Sequence, residues 1–460
     1  MNNDSKAMGA EARDLLAGAH GSLALDSTGA LRTRVVANAG AARAAEAGDG
    51  FAAELVDAVT TGDVTTLTVN RGWLSAVRAA GVADLGHKRG TPAGGRAEAA
   101  QTEPRAATYG SRERALPVDM TNWSVIVDGA TVVKVVGTWG GADRAARQLT
   151  RIGDSGVAII PGFVGSLDWH HPERGTSTIA LVSEFLDGAE DGWTWAVEDV
   201  LAYIAGGPEP EWPARIGELA AELHKALAPF TDDEAPRPTG EALRARAEAA
   251  LGEALRVTGG DAGVRLRNRA TAIRATLAAI PDQPIGPVFD LHGDLHVGQI
   301  LRASVPGTHP GQHRYWVIDF DGDPQLADAE RDQPDYAARD IAHLLSSVDL
   351  VGAVAMKRLG GASQAVLDWA GGARDQSLSA YRASLATGSL DHPSFVFDER
   401  LIAGFLSEQL LRELIYADRF LPRWQYAPDA AIFFRYPPTP GHGADTTQEQ
   451  QWTPPDFTTI

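Results

Sequence analysis

Apolar residues fall into two regimes along this chain. Between residues 115 and 187 they come in short β-branched runs, and from residue 193 onward they recur at helical spacings of three and four. In the first regime, residues 123–127 and 131–136 read as strands joined by Asp128-Gly129, a strong two-residue hairpin signal. Residues 140–151 then read as a helix, and 157–162 and 178–185 as further strands. In the second regime helices are expected over 193–205, 212–227, 240–257, 263–280, 336–350, 361–386 and 400–420, with Pro and Gly between several of them. Residues 1–85 alternate short apolar segments with Gly and Asp, include a strand-like run at 64–69 and a helix at 51–59, and read as a small separate layer. Residues 86–114, rich in Gly, Ala, Arg and Pro without periodicity, read as a mobile linker.

The resulting expectation is an α+β protein with a cap subdomain and linker (1–114), a β-rich segment (115–187), a mainly helical part (188–436) and a disordered tail (437–460). No internal repeat is found, which argues against solenoids and propellers. At 460 residues the chain is long enough for two or three subdomains and an enzyme cleft.

Composition narrows the function. The 41 Lys plus Arg against 60 Asp plus Glu give a formal charge of −19, which argues against nucleic-acid or anionic-membrane partners. The absence of cysteine excludes disulfides and thiolate metal ligands. Charged residues break the first thirty positions, and no later run reaches 18 apolar residues, so a cytoplasmic location is expected.

The candidate chemistry lies between residues 289 and 321. His292-Gly293-Asp294-Leu295-His296-Val297-Gly298-Gln299 follows a short apolar strand, and its two glycines mark a loop that presents side chains to a cleft. Asp294 can accept a hydroxyl proton. A second apolar strand, 315–320, leads into Asp319-Phe320-Asp321, and strand alternation would put Asp319 and Asp321 on one face about 7 Å apart. Oxygen donors from Gln299, Asp319 and Asp321 suit Mg²⁺, and an Asp base followed by such donors is what phosphoryl transfer from ATP needs.

Other positions have less specific readings. Lys134, in Val132-Val133-Lys134-Val135-Val136, either faces water on an edge strand or holds a phosphate, with Asp143 the nearest acidic partner. Ser183, Glu184 and Phe185 end the β-rich segment, where backbone groups can meet a nucleotide base. Gln409, Glu413 and Tyr416 share one helical face, and with Trp424 they read as a sugar-binding wall. A carboxylate such as Glu413 can pair with a primary ammonium, a contact worth about 1.5 to 3 kcal/mol.

With these residues in place, the chain resembles the aminoglycoside phosphotransferase-like kinases, and within them the actinobacterial maltokinase and glucosamine kinase group. The resemblance spans about residues 115–435. It rests on His292-Gly293-Asp294 through Gln299, Asp319-Phe320-Asp321-Gly322-Asp323-Pro324, Arg339-Asp340-Ile341-Ala342, Glu184-Phe185 with Asp191-Gly192-Trp193, and Ala221-Glu222-Leu223-His224. It implies a bilobal protein-kinase-like fold with an N-terminal cap, ATP and Mg²⁺ as cofactors, and a sugar hydroxyl as acceptor. Asp294 would be the catalytic base. Lys134, Ser183, Glu184 and Phe185 would meet the nucleotide, and Gln299, Asp319 and Asp321 the metal. Asp294, His296, Gln409, Glu413 and Trp424 would contact the acceptor. Leu421-Pro422-Arg423-Trp424 is more similar to the glucosamine kinases than to the maltokinases, which places glucosamine ahead of maltose.

Overall fold

The computed structural model describes residues 14–25, 30–35, 45–79, 112–116, 123–230, 237–304, 312–387, 396–437 and 452. The chain divides into two compact units, Met1–Gly188 and Ala189–Ile460. Of the expected linker only residues 112–114 are described, and Glu113 and Arg114 lie in a strand instead of a loop; all of the expected tail beyond 437, except Trp452, lies outside the described residues.

The first unit holds two antiparallel sheets. Strands β1 (Asp14–Ala17), β2 (Gly21–Leu25), β3 (Leu31–Val35) and β4 (Thr68–Val69) form one, in the order β3-β2-β1-β4. The strand expected at 64–69 is thus only its last two residues. Helix α1 (Phe51–Thr61) precedes β4, and β5 (Trp73–Arg78) and β6 (Glu113–Ala115) follow it. Next come β7 (Trp123–Val127), β8 (Thr131–Val135), α2 (Asp143–Asp154), β9 (Phe163–His171) and β10 (Gly175–Glu184). The second sheet has the order β5-β9-β10-β8-β7-β6, so β5 and β6 from the expected cap are built into the same sheet as the later strands. Residues before 115 are therefore not a wholly separate layer. Phe51, Leu55 and Val59 of α1 are fully buried, consistent with one apolar stripe per turn packed on this sheet. The strand expected at 157–162 does not form, because Pro161 cannot donate to a ladder, and pairing starts at Phe163.

The second unit is mainly helical. Its elements are α3 (Gly192–Ile204), α4 (Trp212–Leu227), α5 (Gly240–Val257), α6 (Gly260–Ala278), β11 (Val288–Phe289), β12 (Ile300–Ser304), β13 (His313–Val317), α7 (Asp328–Arg331) and β14 (Asp335–Tyr336). Helices α8 (Ala338–Arg358), α9 (Gln364–Ala386), α10 (Ile402–Phe420) and α11 (Tyr426–Arg435) complete it. Helix α4 packs closely on α9, where a Cβ at Gly217 would lie 2.1 Å from the Ser377 carbonyl oxygen. Helix α8 carries the core, with Ile341, Leu344, Val348, Val351 and Ala355 all buried. Trp452 departs from the expected loose tail: it is buried and donates its indole N–H to Asp429 Oδ2 at 3.2 Å. Among the described residues, no helix is long and apolar enough to cross a membrane.

Candidate active site

Asp340, in the first turn of α8, organises the loop after β11. Its Oδ2 accepts the His292 amide at 2.8 Å and its Oδ1 the Gly293 amide at 2.9 Å. His224 Nε2 lies 3.2 Å from the same carboxylate, and its Nδ1 is 2.8 Å from the Tyr381 hydroxyl. Burial alone would raise the Asp340 pKa, but His224, His292 and the Gly293 amide together carry it below the ordinary value. The loop is thus pinned to an ionised, buried carboxylate. Gly293 takes a φ of 85°, a left-handed turn that suits glycine, and directs the chain into Asp294.

The β12–β13 hairpin brings the second half of the site to the first. Ile300 pairs with Val317, and one step beyond the ladder the Gln299 carbonyl accepts the Ile318 amide at 2.9 Å. That register places Gln299 Nε2 3.4 Å from Asp319 Oδ2. The two oxygen-bearing side chains expected to share a metal therefore meet. The predicted alternation of Asp319 and Asp321 fails, because the strand ends at Val317 and Asp319 turns left-handed at φ 65°. The acidic groups that act on Asp294 are Asp323, Asp319 and Glu413. Among the described residues, no group of three or more His, Cys, Asp or Glu is arranged for a metal. The donors present fit Mg²⁺ nonetheless, since that ion uses one or two protein carboxylates and completes its shell with water and phosphate oxygens.

Asp294 is mostly buried, with His343 Nδ1 3.6 Å from its Oδ1 and His296 Nε2 3.8 Å from its Oδ2. Burial, with Asp323, Asp319 and Glu413 adding to it, holds the Asp294 pKa well above the usual carboxylate value. Burial also lowers His296 to about 4 and pushes His343 well below its ordinary value, so both imidazoles are neutral at pH 7. The loop's second glycine is sterically required: a Cβ at Gly298 would fall 2.4 Å from Trp193 Nε1 and 2.8 Å from His296 Cε1.

A cavity of about 360 Å³ opens in front of these groups, lined by Trp193, Asp294, His296, His343, Glu413, Tyr416 and Trp424 among others. Trp193 and Trp424 meet edge to face at 5.4 Å. Glu413 Oε2 accepts the Trp424 indole N–H at 3.0 Å, and its Oε1 accepts from Gln409 Nε2 at 3.3 Å. Burial raises the Glu413 pKa, against the lowering effect of those two donors. Of the expected acceptor residues, Asp294, His296, Glu413 and Trp424 thus line one cavity. Gln409 does not: it is buried behind Glu413, with its amide also 3.1 Å from His343 Nε2.

His343 and Trp193 were not singled out as site residues by the sequence. A lone histidine inside an apolar helix carries no signal of its own, although its place three residues after Asp340 puts it on the same helical face.

In the first unit, Lys134 lies on β8 between β7 and β10, opposite Ser124 and Leu181. It is half-buried and is not on an edge strand. Asp143, the suggested acidic neighbour, accepts the Thr178 amide at 2.6 Å through Oδ1. Ser183 pairs with Val132, the Glu184 amide donates to Gly162 at 2.7 Å and the Phe185 amide to Ala130 at 2.7 Å. A nucleotide base at this segment would therefore use other backbone groups than those two amides.

No protein-family model matches the chain. A glucosamine kinase from Mycolicibacterium smegmatis (strain ATCC 700084 / mc(2)155) is 37% identical over 334 residues, covering 70% of this chain and 78% of that protein. A glucosamine kinase from Streptacidiphilus jiangxiensis is 34% identical over 331 residues, covering 70% and 72%. Among solved structures, crystal form B of a glucosamine kinase superposes with a TM-score of 0.70 at 30% identity over 92% of both chains. A glucosamine kinase in complex with glucosamine, ADP and inorganic phosphate superposes with a TM-score of 0.68 at 30% identity, covering 92% of this chain and 93% of that one. The fold is that of these kinases, and the chain is an ATP-dependent phosphotransferase with an alcohol acceptor. Within that class, the chain belongs to the glucosamine kinase family.

Proposed function

We propose that this protein transfers the γ-phosphoryl group of ATP to the 6-hydroxyl of glucosamine. The observation that carries the acceptor assignment is the cavity in which Asp294 and Glu413, two mostly buried carboxylates of raised pKa, stand with a wall of Trp193 and Trp424. A pyranose can stack on the indoles while its ammonium pairs with Glu413. Relatives named glucosamine kinase support the same acceptor.

Asp294 orients the acceptor hydroxyl and receives its proton. A carboxylate whose pKa is raised by burial is a stronger base than one in water, which suits that task. Gln299 and Asp319 would hold Mg²⁺, which supplies charge neutralisation of the transferring phosphates. His296 shapes the cavity beside Asp294, and Gln409 supports the acceptor wall through Glu413. Asp321 remains a proposed contributor to the metal region. In the first unit, Lys134 is proposed to neutralise nucleotide phosphates, and the segment Ser183, Glu184, Phe185 to meet the base. We place the reaction in the cytoplasm, where ATP is available, and assign residues 1–114 a cap role that includes their contribution to the second sheet.

The test is a side-by-side measurement of kcat/KM with ATP and Mg²⁺ on glucosamine, glucose and maltose. Glucosamine should lead by at least tenfold, which is the lower end of one charge-assisted contact at about 1.4 kcal/mol per decade. A preference for maltose would move the protein to the maltokinase reaction. Absence of ATP consumption across the panel would leave a binding module instead of an enzyme.

A further inference from the structure

His343 has no part in the reading above, yet it stands between two of its main actors. It is 4% exposed, with Nδ1 3.6 Å from Asp294 Oδ1 and Nε2 3.1 Å from Gln409 Nε2. The orientation of the Gln409 amide follows from its other neighbour. Glu413 Oε1 lies 3.3 Å from the same amide nitrogen, and a carboxylate accepts. One amide hydrogen therefore serves Glu413, whose other oxygen accepts from Trp424, and the second points at His343 Nε2. A ring nitrogen that receives an N–H is the lone-pair nitrogen, so the proton of the neutral imidazole sits on Nδ1 and faces Asp294.

We infer that His343 is a positioning residue for Asp294: fixed by Gln409 as the Nδ1–H tautomer, it holds Asp294 Oδ1 and leaves Oδ2 toward the acceptor hydroxyl. The 3.6 Å separation is longer than a hydrogen bond, and such contacts tighten when substrate closes the site. The chain Trp424, Glu413, Gln409, His343 is hydrogen-bonded throughout and ends beside Asp294, so that tightening of the last contact would couple the group expected to sense the ammonium to the group that takes the proton. The inference rests on the assignment of Asp294 as the acceptor's base.

The experiment has two arms. In the ¹⁵N-labelled wild-type protein at neutral pH, long-range ¹H–¹⁵N correlation, with His343 assigned by comparison with H343N, should show Nδ1 protonated and Nε2 bare. An Nε2–H tautomer overturns the inference whatever the activity. In the kinetic arm, H343L should lower kcat about 10²-fold, the scale of a misplaced catalytic group, with KM for glucosamine and ATP within twofold of wild type. H343N, whose amide nitrogen sits where Nδ1 was, should recover most of that loss, and H343Q, whose nitrogen sits at the Nε2 position, should not. Equal losses in H343N and H343L, or a change confined to KM for the sugar, would overturn it. Asp294→Asn separates this inference from the reading beneath it: retained turnover there removes Asp294 as base, whereas the tautomer tests His343 with Asp294 intact.

Discussion

The Trp424 indole N–H donates to Glu413 Oε2 at 3.0 Å, and Gln409 donates to the other oxygen of the same carboxylate. Glu413 is thereby held rigidly at the cavity wall by two neutral donors, and an ammonium entering the cavity would add a charged one. Glu413→Gln keeps an acceptor for Trp424 but removes the charge. It should cut kcat/KM for glucosamine by about 10- to 150-fold, the equivalent of roughly 1.5 to 3 kcal/mol, and change glucose by less than threefold. Steady-state kinetics on both sugars check this; equal losses would remove the ammonium pairing.

Asp294 is surrounded by Asp319, Asp323 and Glu413, and its raised pKa makes it the strongest candidate base in the cavity. Asp294→Asn should lower kcat by about 10²- to 10⁴-fold while ATP affinity, measured by calorimetry, stays within twofold. Near-wild-type turnover would remove this residue from the mechanism.

Asp340 serves the loop and not the substrate. Asp340→Ala leaves the His292 and Gly293 amides and the His224 ring without their buried acceptor. Denaturant unfolding should show a loss of about 3 to 5 kcal/mol, as expected when one partner of a buried charged network is removed. A loss below about 1 kcal/mol would mean that the loop is held by other contacts.

Burial lowers His296 from 6.5 in the unfolded chain to about 4 in the folded one. Between those values the unfolded state binds a proton that the folded state refuses, so stability falls as pH drops from 6.5 toward 4 and is unaffected above. His296→Gln should remove up to about 3 kcal/mol of that acid sensitivity, at 1.36 kcal/mol per pH unit, seen as a flatter plot of unfolding free energy against pH. Parallel plots for the two proteins would contradict the burial of a neutral His296.

Much of this was legible in the sequence, for identifiable reasons. The loop from His292 to Gln299 and the strand before Asp319 are local features, and the hairpin register that joins Gln299 to Asp319 follows from two adjacent apolar strands. Long amphipathic segments became α4, α5 and α9 close to their expected bounds. What was not legible depends on tertiary pairing. Strand β5 has no pattern that assigns it to the second sheet, and α11, rich in Ala and Phe, starts two residues after Trp424, which read as part of the sugar wall. Helical spacing alone put Gln409 on the same face as Glu413. It could not show that the neighbouring α8 covers that end of the face, where His343 takes the Gln409 amide. The left-handed turn at Asp319 likewise overrides strand alternation and takes Asp321 out of the predicted register.

The central claim is that ATP phosphorylates an amino sugar at its primary hydroxyl in the cavity formed around Asp294. Its most direct test is ³¹P and ¹H NMR of the products formed from ATP, Mg²⁺ and glucosamine by the wild-type protein. The account predicts ADP and a single phosphomonoester coupled to the C6 protons, in equal amounts. A phosphate on C1, or ADP formed without any sugar ester, would contradict it.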